Sequence, residues 1–420
     1  ILGSLSILGG LFLAVLPMDR HEIGHWVPRL GLGACLVPFG LFVVLFRLRR
    51  DVYLEQMPPL PVILGVLVAA TIVLLVILGP LRKLLEPIAT KLTTPLAPLA
   101  LLVVGVFGLG GLLSVVFAPE APARVEKGAM SADLASKPNV ILVMVDTLRA
   151  DHLSCYGSDL ATPNLCRLAE DGGTVYKAFS HASWTKPATA SLLTSTLPST
   201  HVAMSKPSSL SQDLVLISEA MQDAGYTTGG IVSNVNLAES FGFDQGYDDY
   251  YYLGPDYIAG AAESSSKLII YQLVRQVALG VLGGDKTWFN DFYQDSEVVN
   301  EVAFDWLDDR KDERFFLFLH YMDPHDPYFE HPYNGVGVAR VSMPDPEPEM
   351  AERLHALYRG EIEYLDGNFG KLLAKLEALG LYDDTIIVLT ADHGEEFDDH
   401  GGFWHEIGRA SCRERVCSVV

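Results

Sequence analysis

Carboxylates and imidazoles collect after three apolar runs of the sequence, NVILVMV, FFLFLHY and TIIVLT. These polar side chains are Asp146, His325, Asp392, His393, His400 and His405. Carboxylate oxygens and neutral imidazoles together suit one divalent metal ion, such as Zn²⁺, Mn²⁺, Mg²⁺ or Ca²⁺. The pattern therefore predicts a metal site that is assembled from distant parts of the chain.

A hydroxyl group at the predicted start of a helix is a second candidate for chemistry. The stretch WTKPATASLLTS places Thr185 two residues before Pro187. Threonine is a common helix N-cap, and proline is favoured in the first helical turn. The free N–H groups and the dipole of a helix N-terminus also favour a bound anion. Thr185 is therefore a cap, a nucleophile or both, and Lys186 is either an anion contact or an exposed lysine.

The apolar runs predict the strands that must position these side chains. Residues 139–145 and 385–390 are rich in β-branched residues without polar alternation, as in strands buried on both faces. Residues 227–233 and 315–321 also have strand character. We expect His201 and His320, which lie near or within these elements, to be structural.

Helical patterns alternate with the strands. They lie around residues 164–170, 191, 214–224, 298–308 and 349–379. We expect the last helix to break at Gly360 and Gly367. Alternating strands and helices predict an α/β fold in which a mostly parallel sheet lies between helices. Such sheets bind ligands beyond the carboxyl ends of their strands, where the polar residues fall.

The first 117 residues predict a transmembrane helical region. Their four apolar stretches are residues 1–17, 30–46, 60–79 and 96–117. A bilayer core requires about 20 apolar residues as a helix. The first and third loops carry five Lys and Arg residues and the second carries three. The positive-inside rule therefore predicts a multi-pass cell-membrane protein whose later domain is periplasmic or extracellular.

Composition and the two ends set further limits. The 420 residues are 49% hydrophobic but carry a net charge of −22, which fits an apolar membrane part joined to an acidic domain and excludes nucleic acid as a partner.

Residues 118–138 predict a linker, and residues 139–405 a catalytic domain. Residues 406–420 include IGRASCRERV, which back-translates to a sequencing adapter and predicts a non-native tail. We therefore expect truncation at both ends.

Two cysteines of the predicted catalytic domain leave their pairing open. Cys155 and Cys166 either form a disulfide in an oxidising compartment or are small buried residues.

Six blocks, in order, resemble the sulfatase family of the alkaline-phosphatase superfamily. They are NVILVMVDTLRADHLSCYG, WTKPATASLLTS, SNVNLAESFGFDQGYDDY, FLHYMDPHDPY, YRGEIEYLDGNFGKLL and LTADHGEEFDDHG. The resemblance covers residue 139 to about residue 405. It implies an alkaline-phosphatase-like fold and the cleavage of sulfate or phosphate esters.

The chain departs from this family at the nucleophile. The family pattern is Cys/Ser-x-Pro-x-Arg, and Thr185 and Thr189 stand at its first and last positions. Formylglycine, which forms from the Cys or Ser, is therefore not expected. The usual pair of aspartates after the first strand is reduced to Asp146 and Thr147.

The remaining residues are similar to the single-metal site of phosphoethanolamine transferases and lipoteichoic acid synthase. The resemblance implies a ligand set of Asp146, Thr185, Asp392 and His393. It also implies that His325 and His405 bind the substrate and protonate the leaving alcohol. A metal-held threonine hydroxyl with a lowered pKa is a competent nucleophile.

Three functions remain open. The first is a membrane-anchored, metal-dependent hydrolase of sulfate or phosphate esters, with Thr185 as nucleophile and a lipid or cell-surface glycan as a possible substrate. The second is a phosphotransferase that moves a phosphoethanolamine or phosphoglycerol head group from a lipid to a surface acceptor. The third is a non-catalytic family member that uses the fold as a binding module.

Overall fold

The computed structural model describes residues 41, 45, 59–78, 132–174, 178–255, 257, 292–340, 343–399, 401–405 and 417–419. Contacts divide the chain into two compact units, Ile1–Glu120 with Tyr257–Arg275 and Ala121–Asp256 with Gln276–Val420. All the predicted site residues belong to the second unit.

In the first unit, helix α1 spans Leu60–Leu78 and coincides with the third predicted membrane stretch. The described side chains of this helix extend to residue 71. Among the described residues, no helix is long and apolar enough to cross a membrane. Apart from residues 41 and 45, the other three predicted stretches lie outside the described residues. The transmembrane region therefore stays a prediction.

The second unit alternates helices with strands. Its helices are α2 Ala132–Ala135, α3 Pro163–Asp171, α4 Thr185–Thr194, α5 Pro198–His201, α6 Ile217–Asp223, α7 Ser296–Arg310 and α8 Ala351–Ala378. Its strands are β1 Asn139–Val145, β2 Gly173–Thr174, β3 Thr227–Val232, β4 Asp249–Tyr252, β5 Phe315–Tyr321, β6 Tyr328–Phe329, β7 Gly337–Val338, β8 Thr385–Ala391 and β9 Cys417–Val419. Short 3₁₀ turns lie at Ala150–His152, Ser154–Tyr156, Val235–Leu237, Glu239–Phe241, Pro348–Met350 and Tyr382–Asp384.

The main sheet has β1 near its centre. The strand order is β2-β9-β8-β1-β5-β3-β4. Strands β8, β1, β5, β3 and β4 run parallel to one another, as the alternation of helices and strands predicts. The antiparallel strands β9 and β2 extend the edge beyond β8, and β6 pairs antiparallel with β7 in a separate ribbon. Because β9 falls in residues 406–420, the non-native origin of that tail stays a prediction.

The sheet lies between two layers of helices. Alternate side chains of β1 point to opposite faces: Ile141 joins the hydrophobic cluster with α3, α7 and α8, whereas Leu142 joins the cluster with α4 and α6. The same alternation separates Leu317 from Phe316 in β5. Burial on both faces explains why these strands are apolar throughout, since each fully buried aliphatic side chain stabilises the fold by about 1.5–3 kcal/mol.

The expected break in the long C-terminal helix is wrong. Helix α8 continues through Gly360 and Gly367. Each glycine inside a helix costs about 1 kcal/mol relative to alanine. The buried stripe of this helix, which includes Ile362 and Phe369, outweighs that cost because it packs into the core beside the sheet.

Cys155 and Cys166 are joined by a disulfide. This bond realises one of the two alternatives that the sequence leaves open. It connects the polar segment after β1 to the first turns of α3, and so constrains the chain that follows Asp146.

Two glycines predict opposite effects of a single added methyl group. A Cβ at Gly229 of β3 would lie 2.7 Å from the indole ring of Trp306, whereas a Cβ at Gly367 of α8 meets nothing within 4 Å. We expect Gly229→Ala to lower the free energy of unfolding by about 1–3 kcal/mol through overpacking. Gly367→Ala should raise it by up to about 1 kcal/mol through helix propensity. Denaturant unfolding of both variants measures this, and equal effects would contradict the packing assigned to β3.

Candidate active site

Two aspartates reach one edge of the sheet because β1 and β8 run parallel and end together. Val145 lies opposite Ala391, so Asp146 and Asp392 are the next residues of the two strands. Both side chains are fully buried. The backbone N–H of Thr147 donates to Oδ1 of Asp392 at 3.1 Å and links the two strand ends.

Thr147 adopts a backbone conformation that is rare for its residue type. Its φ is 57°, in the left-handed region that a β-branched residue seldom occupies. The Tyr358 hydroxyl donates to the Thr147 carbonyl at 2.8 Å, and Asp392 accepts the Thr147 N–H. These bonds hold the strained turn, and the turn directs the chain away after Asp146 so that its carboxylate stays in the site.

Thr185 enters the site as the first residue of α4. Trp184 occupies the N-cap position, and no side chain caps this helix. The Thr185 hydroxyl instead donates to Oδ2 of Asp146 at 3.2 Å, and only 3% of the residue is exposed. Thr185 is therefore not the N-cap of this helix, which is one of the roles that the sequence leaves open. Its hydroxyl faces the carboxylates.

Asn234 and His320 complete the surroundings of Asp146. The Asn234 side-chain amide donates to Oδ2 of Asp146 at 3.0 Å and lies 3.4 Å from the Thr185 hydroxyl. Its orientation is determined because Oδ1 accepts the backbone N–H of Asn236. Nε2 of His320 lies 3.5 Å from Oδ2 of Asp146.

Three buried atoms face one another without a hydrogen-bond partner in the described part of the chain: Asp146 Oδ1, Asp392 Oδ2 and His393 Nε2. His393 Nε2 lies 3.5 Å from the first and 3.4 Å from the second. His393 Nδ1 lies 3.0 Å from the Gly394 carbonyl, which only accepts, so Nδ1 carries the hydrogen and Nε2 presents a lone pair. Three lone-pair donors converging in a buried site fit a divalent cation.

The electrostatics of the two carboxylates support the same conclusion. Burial raises the pKa of Asp392, and the negative charge of Asp146 raises it further. Burial also opposes ionisation of Asp146, but the positive charge of His325 holds its pKa well below the usual range. Two carboxylates that repel in a buried site are stabilised when a cation lies between them.

A second group of side chains borders the first. The ring centroids of His325 and His405 are 4.7 Å apart, and those of His405 and His393 are 4.8 Å apart. Nδ1 of His405 lies 3.2 Å from the carboxylate of Glu395, and Nδ1 of His325 lies 2.6 Å from the Asp326 carbonyl. Because these partners only accept hydrogen bonds, both rings carry hydrogen on Nδ1 and keep Nε2 for a further contact.

His325 is positioned to be a cation. Burial alone would lower its pKa, but the carboxylates of Asp146, Asp326 and Glu395 together raise the pKa to about 9. A protonated His325 favours an anionic substrate group.

The ammonium group of Lys186 is bound by other groups of the chain, and the substrate-binding role predicted for Lys186 stays a prediction. Its ammonium group donates to the carbonyls of Lys206 at 2.6 Å and Ser208 at 3.0 Å and lies 3.4 Å from the centre of the Phe241 ring. The side chain is buried rather than exposed. These carbonyls and this ring stabilise its positive charge.

Sequence reasoning missed three residues of the site. Asn234 lies in a block that matches the family but carries no chemical signature of its own. Glu395 follows Asp-His-Gly directly and had a usable signal, since a carboxylate near a catalytic histidine often orients it. His320 was expected to be structural, but both of its ring nitrogens are buried, and neither has a hydrogen-bond partner among the residues that the structure describes. His400 lies outside the described residues.

Comparisons with known proteins show which family the chain belongs to. The Sulfatase family model matches residues 138–414, and the chain belongs to the sulfatase family. N-acetylgalactosamine-6-O-sulfatase of Bacteroides thetaiotaomicron is 24% identical over 63% of this chain and 60% of its own length. The multifunctional alkaline phosphatase superfamily protein PehA of Trinickia caryophylli is 25% identical over 63% and 64%. The chain thus spans about three fifths of the length of these curated relatives.

Two solved structures share the fold. The phosphonate monoester hydrolase of Agrobacterium radiobacter has a TM-score of 0.52 at 20% identity and covers 67% of this chain and 68% of its own. The phosphonate monoester hydrolase SpPMH of Silicibacter pomeroyi has a TM-score of 0.50 at 20% identity and covers 68% of both chains. These matches confirm the α/β fold with a parallel sheet that the family resemblance implies, and at this identity they show the fold alone.

The burial of Lys186 predicts a pH dependence of stability. Burial lowers its pKa to about 8, so between this value and the ordinary value of 10.5 the unfolded chain binds more protons. The free energy of unfolding therefore gains a contribution that rises with pH across this window. We expect Lys186→Met to remove that contribution and Lys311→Met, at an exposed position, to keep it. Denaturant unfolding of both variants at several pH values measures the difference, and parallel curves would contradict the assignment.

Proposed function

We propose that this chain is a membrane-anchored, metal-dependent hydrolase that cleaves sulfate or phosphate esters outside the cytoplasm with Thr185 as the nucleophile. Membership of the sulfatase family supports ester hydrolysis. The observation that carries the proposal is the position of the Thr185 hydroxyl, 3.2 Å from Asp146 within a group of buried carboxylates and imidazoles.

Asp146, Asp392 and His393 would hold the metal ion, and Thr185 borders them. A bound divalent ion supplies Lewis acidity, which favours the ionised hydroxyl and stabilises charge on the ester oxygens. Asn234 donates to Asp146 and approaches the Thr185 oxygen, so it holds the nucleophile and the carboxylate in one geometry. The N–H groups at the start of α4 face the anionic ester.

Each step of ester cleavage is assigned to one side chain of the site. The Thr185 hydroxyl passes its proton to Oδ2 of Asp146, which accepts its hydrogen bond, while the Thr185 oxygen attacks the sulfur or phosphorus atom and the bond to the alcohol oxygen breaks. His325, as a cation, binds the anionic ester oxygens. His405 in its protonated form delivers the Nε2 proton to the leaving oxygen and keeps its Nδ1 hydrogen on Glu395. Water then attacks the sulfur or phosphorus atom and gives one proton to Nε2 of His405, while the bond to the Thr185 oxygen breaks and that oxygen recovers its proton from Asp146.

The membrane anchor rests on the sequence before residue 118. Four apolar stretches with basic residues between them support helices that hold the catalytic unit at a membrane. An anchored enzyme meets lipids and cell-surface glycans, and the Bacteroides relative carries the name of a sugar sulfatase. We propose a sulfate or phosphate ester of this kind as substrate.

Removal of the Thr185 hydroxyl tests the nucleophile. Thr185→Ala should lower kcat by at least about 10³-fold, as expected for loss of a covalent nucleophile. Thr185→Ser keeps the oxygen and should stay within about 10²-fold of the native rate. The measurement is a panel of aryl sulfate, phosphate monoester and phosphodiester with Zn²⁺, Mn²⁺, Mg²⁺ or Ca²⁺. Turnover that survives Thr185→Ala would contradict a threonine nucleophile.

A second candidate function is group transfer. It is favoured by the threonine and by the two histidines, His325 and His405, that border the site, a combination similar to phosphoethanolamine transferases. A covalent adduct on Thr185, trapped and identified by mass spectrometry, is expected for both functions. Product ratios in mixtures of water and an acceptor alcohol separate them, since a transferase modifies the alcohol faster than it releases the free acid.

A further inference from the structure

His320 is a buried histidine to which no described residue gives a hydrogen bond. It is the sixth residue of β5 and lies opposite Met144 of β1. Neither of its ring nitrogens has a hydrogen-bond partner among the described residues. A buried polar atom without a partner costs about 1–3 kcal/mol. A ligand that the ring binds would remove this cost.

The position of the ring indicates which ligand this is. Single ligand atoms from Asp146, His320 and Asp392 all lie within 4.8 Å of one another, and all three residues are buried. Donor atoms of one transition-metal ion lie about 2.0–2.2 Å from it, so they lie within about 4.4 Å of one another. The His320 nitrogen therefore faces the same small volume as the carboxylates.

We infer that His320 is a direct ligand of the metal ion held by Asp146, Asp392 and His393, and that it makes the site selective for a transition-metal ion such as Zn²⁺ over Ca²⁺. The inference rests on the proposed function only in using the same site, since metal binding is measurable without turnover.

Thr147 stands at a position where the family pattern implies a further carboxylate. The family pattern implies a second aspartate at this position, and the chain has a neutral hydroxyl there. Oγ1 of Thr147 is buried and has no hydrogen-bond partner among the described residues. The site thus lacks one carboxylate and gains one imidazole. Ca²⁺ takes 6–8 oxygen ligands, whereas two imidazoles with two carboxylates suit Zn²⁺.

The charge balance agrees with the donor set. Two carboxylates neutralise a divalent ion, and two neutral imidazoles add donors without adding charge. His320 as a ligand also differs from a role in which it only orients Asp146. An orienting ring would stay 3.5 Å from Asp146 and leave a single imidazole, that of His393, on the metal.

The first test counts imidazoles on the metal in the native chain. Zinc X-ray absorption of the full-length, detergent-solubilised protein, loaded with one equivalent of Zn²⁺, should show two imidazole ligands. A spectrum with one imidazole overturns the inference. This measurement requires no variant and does not depend on a substrate.

The second test compares affinities for Zn²⁺ and Ca²⁺ by competition titration. His320→Ala should weaken Zn²⁺ binding by about 100-fold or more, beyond the 10–100-fold that loss of an outer hydrogen bond costs. Thr147→Asp should raise the affinity for Ca²⁺ and narrow the preference for Zn²⁺. Thermal unfolding of both metal-free variants checks that each is folded. Unchanged Zn²⁺ affinity in folded His320→Ala overturns the inference.

The outcomes separate this inference from the proposed function. Two imidazoles on zinc without turnover of any ester would leave the inference in place and reject the hydrolase. Ester turnover with one imidazole on zinc would reject the inference and leave the hydrolase in place.

Discussion

The structure depends on the repulsion between two carboxylates that the sheet forces together. Asp146 and Asp392 end neighbouring parallel strands, and the ladder between β1 and β8 gives them no freedom to separate. Both are removed from water, so their charges are not screened. The lone pair of His393 faces the same space. A fold that assembles these groups is most stable when a cation occupies the space between them.

The surrounding contacts all limit how the two carboxylates can relax. Thr147 accepts an unfavourable left-handed conformation and links one strand end to the other through its N–H. Tyr358 holds that turn from the long C-terminal helix. Asn234 bonds Asp146 from the segment after β3. Three separate elements thus support one carboxylate pair, which is the arrangement that a preorganised site requires.

Thr185 shows how the same residue type serves two physical purposes. A threonine at a helix start usually caps the helix with its own hydroxyl. Here Trp184 is the N-cap residue, and the Thr185 hydroxyl donates a hydrogen bond to Asp146. The helix gives up a side-chain cap, and the site gains an oxygen held beside its carboxylates. Glu395 acts in a comparable way on His405, since a fully buried carboxylate holds one ring nitrogen and leaves the other for the substrate.

The sequence by itself determined the sheet and the two carboxylates. Continuous apolar runs such as residues 139–145 form strands because they are buried on both faces, and the polar residue after each run must then lie at the carboxyl edge. Asp146, Asp392 and His393 follow from local pattern alone. The continuity of α8 does not, because packing against the core outweighs two glycines.

Only the tertiary structure decided the direction of the remaining side chains. Lys186 is next to Thr185 in sequence, yet its ammonium group donates hydrogen bonds to the carbonyls of Lys206 and Ser208. His320 belongs to an apolar strand that reads as core, and its contact with Asp146 depends on the register of β5 against β1. Spacing along the chain carries no information about such contacts, since they arise between segments that are far apart in sequence.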